Sequence, residues 1–165
     1  MCLLGSLATP AWGHARFKLN AAFKARNDAT GLKTAPCGGI ARTDNPTILK
    51  AGQTVNLEWE ETINHPGYYI IRFSPADDVG FEQNVLVDMH IDDQNETPTP
   101  HPFEAQIQVP NVECEACTLQ MIQVMEDRDP PTNYYSCADI QIKAADDPTV
   151  TPPAAPSGLN LQVNE

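Results

Sequence analysis

The sequence predicts an all-β fold, an immunoglobulin- or fibronectin-III-like β-sandwich closed by disulfides. Six short segments read as strands, most of them alternating apolar and polar residues with a period of two, the period of a half-buried strand. Pro, Gly, Asp and Asn turns separate them, as short strands in a sandwich require. No segment holds a sustained helical period; residues 19–24 come nearest to one.

The first firm strand is 54–59, where Val55, Leu57 and Trp59 alternate with Thr54, Asn56 and Glu58. Ala51-Gly52-Gln53 turns the chain into it, and Trp59 reads as core. Residues 60–67 form a loop, because Pro66 cannot donate a backbone hydrogen bond to a ladder. Residues 68–73 are aromatic and β-branched, which suits a strand. Residues 84–89 place Val85, Val87 and Met89 on one side. Residues 92–102 are polar and proline-bearing and read as a loop. Residues 103–109 point Phe103, Ala105, Ile107 and Val109 inward. Residues 118–125 alternate at first and then thicken at Ile122 and Val124. Residues 137–142 close the set with Ala138, Ile140 and Ile142 on one parity.

The chain of 165 residues suits one domain with an adequate core. Its expected organisation is a short leader over 1–13, a sandwich over 14–143 and a Pro/Ala/Asp-rich tail over 144–165. The tail reads as a linker that ends near Leu159, Leu161 and Val163. Twenty-two acidic residues against ten basic ones give a net charge of −12. That charge disfavours nucleic acid, whose phosphates need clustered Lys and Arg. The acidic residues are spread along the chain and read as a solubilising surface.

Five cysteines occur, one of them in the apolar leader at Cys2. The remaining four are Cys37, Cys114, Cys117 and Cys137. In an exported chain an even count predicts two disulfides. The preferred pairing is Cys37–Cys137 as a long closure and Cys114–Cys117 as a short staple. A zinc site would need a second Cys-x-x-Cys, and a thioredoxin-like motif would need a βαβ setting.

Residues 1–13 hold no charged side chain and end in Ala11-Trp12-Gly13, a small-x-small triplet of the kind a signal peptidase cuts. The segment is shorter than usual leaders and lacks a basic start. It is either the end of a leader whose true start lies further upstream or a frayed apolar terminus. It is too short for a transmembrane anchor. Cleavage after Gly13 would make His14 the first residue. Its α-amine and ring Nδ1 can then reach one metal, and a second imidazole completes a three-nitrogen site suited to copper. His65, in Asn64-His65-Pro66-Gly67-Tyr68-Tyr69, is the second candidate. Both histidines fall in loops, and a sandwich gathers its loops at its two ends. The structural alternative is a pair of solvated loop histidines. His90 and His101 read as surface residues.

Tyr134-Tyr135 precedes the last strand, either as a packed aromatic pair or with one ring on the axial side of a metal. Glu60 and Glu61 precede the His65 loop, either as salt-bridged carboxylates or as groups that orient the histidine. Gln120 and Gln123 face solvent, or one approaches the site. Asn95-Glu96-Thr97 matches a glycosylation acceptor. No phosphate loop, serine elbow, His-Glu-x-x-His or EF-hand pattern occurs.

Several stretches in order resemble the lytic polysaccharide monooxygenase superfamily, in particular its small bacterial members with an N-terminal histidine brace. They are His14-Ala15-Arg16, Gly31-Leu32-Lys33-Thr34-Ala35-Pro36-Cys37-Gly38-Gly39, residues 55–59, and residues 60–69 with His65. Cys114-Glu115-Ala116-Cys117-Thr118-Leu119-Gln120 and residues 134–140 follow. Each motif is modest; their combined order is specific and spans most of the chain after His14.

The resemblance implies a copper cofactor held by the amine and imidazole of His14 and the imidazole of His65. It implies an axial aromatic five residues before the aspartate of the last core strand. Counting back from Asp139 gives Tyr134, with Tyr135 as the neighbouring alternative. It implies oxidation at C1 or C4 of chitin, cellulose or a related polysaccharide by a secreted or periplasmic monomer with an external electron donor. Some relatives with the same brace bind or deliver copper instead, and that is the alternative function. A carbohydrate-binding sandwich with incidental histidines is the third reading.

Overall fold

The computed structural model describes residues 14–18, 24–92 and 99–150. The apolar segment 1–13, most of the weakly helical stretch 19–24, the Asn95 triplet and residues 151–165 of the tail lie outside these. Among the described residues are eight strands: β1 (Ala15–Phe17), β2 (Thr47–Lys50), β3 (Thr54–Glu61), β4 (Gly67–Ser74), β5 (Val85–Asp92), β6 (His101–Gln108), β7 (Cys114–Met125) and β8 (Thr132–Lys143). One sheet has the order β1-β3-β6, the other β2-β8-β7-β4-β5. All pairings are antiparallel except β2 with β8. The fold is thus the all-β, immunoglobulin-like sandwich that the alternation predicts, with two disulfides, Cys37–Cys137 and Cys114–Cys117. No helix among the described residues is long and apolar enough to cross a membrane.

The inward faces supply the core. Val55, Leu57 and Trp59 from β3 meet Tyr69, Ile71 and Phe73 from β4 and Leu119 and Met121 from β7. Trp59 stacks on Phe103 with ring centroids 5.8 Å apart. The strand reading needs extending at several ends. β3 runs on to Glu61, which shares the inward parity of Trp59 and is fully buried. β6 starts at His101, so Pro102 lies in a strand, but an edge strand, where its missing N–H costs no ladder bond. β8 starts at Thr132 and includes Tyr134 and Tyr135. β7 starts at Cys114, and a register shift between Cys114 and Cys117 breaks the alternation there. The three- and four-residue strands β1 and β2 are too short to show a period. Of the expected apolar face of β5, Val87 packs against the core, whereas Val85 and Met89 are exposed on this edge strand.

β7 thickens in apolar residues because both of its faces are covered. Residues 24–46 run along β8 and over the outer face of the larger sheet, with Arg26 N–H donating to Cys137 O and Tyr135 N–H donating to Leu32 O. Arg26 pins this segment. Its Nη2 lies 2.6 Å from Asp78 Oδ1 and 2.7 Å from Asp139 Oδ1, and its side chain is 2% exposed. Thr43 N–H donates to the other Asp139 oxygen at 2.7 Å. Asp78 therefore belongs to a partly buried ion cluster and not to a solvated acidic surface. Arg26→Ala leaves the Asp139 carboxylate buried beside a cavity. It is expected to destabilise the fold by about 3–5 kcal/mol, read as a lower urea midpoint with an unchanged slope.

Candidate metal centre

Three connections meet at one end of the sandwich: the chain entering β1, the β3–β4 loop and the β7–β8 loop. His14 sits at the mouth of β1, and its carbonyl accepts from Thr62 N–H at 2.9 Å. This main-chain bond ties the histidine to the loop that carries His65. The His14 and His65 rings stack with centroids 4.7 Å apart and planes at 27°. Tyr134 lies on the other side of the His14 ring, 3.9 Å away and 20° from parallel. Lys33 Nζ stands 5.0 Å from the centre of the Tyr134 ring. Tyr134 is buried and Tyr135 points to the opposite face of β8, so Tyr134 is the aromatic at this site.

The donor atoms suit a metal. His14 Nδ1 is buried and has no hydrogen-bond partner in the protein. An unpartnered buried nitrogen is costly unless something else binds it. Burial and then the neighbouring His65 lower the His14 pKa to about 4, so its ring offers a lone pair at neutral and mildly acidic pH. The Nδ1 of His65 lies 3.1 Å from Asp127 Oδ2. An Nδ1–H donated to that carboxylate places the free lone pair on Nε2, the arrangement by which a carboxylate orients a ligating histidine. Among the described residues no group of three His, Cys, Asp or Glu side chains is gathered to hold a metal. Two imidazoles alone therefore fall one donor short of a three-nitrogen site.

Beneath His65 lies a buried polar cluster. Glu61 Oε1 accepts from His65 N–H at 3.0 Å and from Gln123 Nε2 at 3.1 Å. Gln123 Nε2 also reaches the Tyr69 hydroxyl, which donates to Asp92 Oδ2 at 3.3 Å. Glu61 thus fixes the backbone of the His65 loop. Glu60, by contrast, faces out and pairs with Arg16 at 2.6 Å. Gln123 lies in this cluster, whereas Gln120 bonds to Pro36 O on the other side of the sheet. The sequence reading missed Asp127, which it placed among surface acids. The signal was a carboxylate in the connection facing the histidine loop, and only the strand pairing reveals that. His90 and His101 do not join the site; both set their ring edges against Phe103.

Burial, reinforced by Asp92, pushes the Glu61 carboxyl up to about 8. A raised carboxyl stays protonated in the fold while it ionises in the unfolded chain. Its contribution to stability is therefore fully present below about pH 4.5 and is lost as the pH rises towards 8. The urea midpoint of the metal-free protein is expected to fall across that window, and Glu61→Gln is expected to flatten the fall. An unchanged slope in Glu61→Gln would show that Glu61 is ionised in the fold.

The model of a family described as copper acquisition factor BIM1-like matches residues 12–156. No curated protein matches the chain. Among solved structures, the chain is similar to a lytic polysaccharide monooxygenase AA15 from Thermobia domestica in the Cu(I) state. The identity is 20%, covering 70% of this chain and 78% of that one, with a TM-score of 0.50. A lytic polysaccharide monooxygenase important for efficient utilization of chitin in Cellvibrio japonicus is 16% identical over 77% of this chain and 74% of its own, with a TM-score of 0.47. An AA10 enzyme from Photorhabdus luminescens is 18% identical over 66% of both chains, with a TM-score of 0.43. At such identities the likeness is one of fold.

Proposed function

This chain belongs to the copper acquisition factor BIM1-like family, and on that premise we propose that it is an exported protein that holds copper at His14 and His65 for uptake or delivery. The observation that carries the reading is the buried, unpartnered Nδ1 of His14 beside the His65 ring. A nitrogen-rich set of this kind favours copper among the divalent first-row metals. In the processed protein His14 supplies the α-amine and Nδ1, and His65 supplies Nε2. Asp127 orients His65 through Nδ1, Glu61 holds the loop backbone, and Tyr134 covers one face of the His14 ring. Copper, when bound, supplies a redox-active centre that a reductant can cycle. The chain's own contribution is to keep the His14 imidazole neutral and to hold the His65 ring beside it.

Oxidation of a polysaccharide such as chitin or cellulose, with an external electron donor, is the second reading. Tyr134 against His14 favours it, as an aromatic blocking one side of the site. That activity also requires a surface that sets a glycan carbon beside the metal. None of the described aromatic side chains is exposed, so no stacking platform surrounds the site among the described residues. This favours copper handling.

The test uses processed, copper-bound protein with ascorbate and controlled peroxide on chitin, cellulose and soluble glucans. We expect no oxidised oligosaccharides and rapid transfer of copper to a competing chelator. Aldonic-acid or C4-keto products that vanish in His65→Ala would overturn copper handling and establish the oxidase.

A further inference from the structure

Lys33 belongs to the segment that covers the larger sheet, and the fold fixes its place. The carbonyl of Leu32, just before it, accepts a hydrogen bond from Tyr135 N–H at 2.8 Å. Just after it, Cys37 is bonded to Cys137 on the same strand, β8. Thr34 O accepts from Gly38 N–H at 2.6 Å across the intervening turn. Gly38 has a φ of +70°, and the Leu32 side chain fills the space that a Cβ there would need. The backbone at Lys33 is therefore held beside Tyr134, the neighbour of Tyr135 on β8.

The Lys33 ammonium stands over the Tyr134 ring, 5.0 Å from its centre, within the range of a cation–π contact. The His14 ring lies against Tyr134 at 3.9 Å and stacks in turn on His65. These two contacts put the ammonium within about 9 Å of the His14 ring, close to the screening length of about 8 Å at physiological ionic strength. Tyr134 is buried, so protein and not solvent fills the gap, and the charge is screened less than it would be across water. Arg16, Lys18, Arg26, Arg42, Arg72 and Lys143 each lie within 4.0 Å of a carboxylate. Lys33 has no carboxylate partner among the described residues, although the chain carries twenty-two acids. Its charge is left to act on the site. Asp127, 3.1 Å from His65 Nδ1, carries the opposite charge on the His65 side.

A fixed positive charge repels a doubly charged ion about twice as strongly as a singly charged one at the same distance. We propose that Lys33 sets the oxidation-state preference of the metal site: its charge, held on the face of Tyr134 away from His14, favours Cu(I) over Cu(II). This inference rests on the copper reading and names the ion that the site prefers. It would keep bound copper in the state that soft thiolate acceptors take.

The test uses the processed, disulfide-intact protein. Cu(I) affinity is measured by competition with bicinchoninate, Cu(II) affinity by competition with nitrilotriacetate, and the midpoint potential by redox titration. Lys33→Met keeps most of the side-chain length and removes the charge; Lys33→Arg keeps the charge. At low salt Lys33→Met is expected to lower the ratio of Cu(I) to Cu(II) affinity by about threefold or more, the scale of one charge acting across about 9 Å near a protein surface. The potential should fall by about 30 mV or more, the same threefold change for one electron. Lys33→Arg is expected to keep the wild-type ratio, and the effect of Lys33→Met should shrink in about 0.5 M salt, as a packing effect would not. An unchanged ratio in Lys33→Met, an equal fall in Lys33→Arg, or a fall that salt does not reduce would overturn the proposal and leave the copper reading standing. Wild-type protein that binds neither ion stoichiometrically would overturn both.

Discussion

Replacing His14 or His65 with Ala is expected to abolish stoichiometric copper binding by the processed protein. Each carries an imidazole of the proposed site, and among the described residues no group of three ligating side chains offers a substitute. Loss of an orienting neighbour typically weakens a metal site about 10–100-fold; loss of a ligand should exceed that. Asp127→Asn is expected to fall within the smaller range, because it disturbs only the tautomer of His65. Any residue retained before His14 turns its amine into an amide and should weaken binding as severely as His14→Ala. Chelator competition and spin-resonance spectra of the Cu(II) form check these outcomes, and a nitrogen-dominated axial spectrum is expected. His90→Ala and His101→Ala should leave affinity unchanged, since both rings pack on Phe103 rather than on His14 or His65. Full affinity in both His14→Ala and His65→Ala would dispose of the two-histidine site. A mature terminus other than His14 would do the same.

Loss of the Cys37–Cys137 bond is expected to be the largest single stability change. It joins residues 100 apart in sequence, and closing so long a loop restrains the unfolded chain by about 4–5 kcal/mol in the chain-entropy account. The Cys114–Cys117 bond spans three residues, for which the same relation gives about 2 kcal/mol. The long bond also anchors the covering segment beside Pro36, whose carbonyl takes the Gln120 hydrogen bond. Urea unfolding of Cys37→Ser/Cys137→Ser and Cys114→Ser/Cys117→Ser should therefore rank in that order. Equal losses would show that strain or residual structure in the unfolded chain outweighs loop length.

The sequence by itself determined the fold class, because alternation along 54–59, 103–109 and 118–121 is a local property that commits one face of each strand to the core. It also determined the disulfide count, and it singled out His14 and His65 through their neighbours in the chain, while the choice of Tyr134 over Tyr135 rested on the family resemblance alone. It did not show β1 or β2, whose three and four residues carry no period, nor the inward turn of Glu61, which a carboxylate in a core-facing register conceals. Tertiary structure alone decided that the His14, His65 and Tyr134 rings stack at one end, that Asp127 meets His65, and that Arg26 joins Asp78 and Asp139 beneath the covering segment. The physical reason is the range of the forces. Strand patterning is set by each residue's own burial, whereas these contacts join loops and strands distant in sequence, and only the order and register of the sheets bring them together.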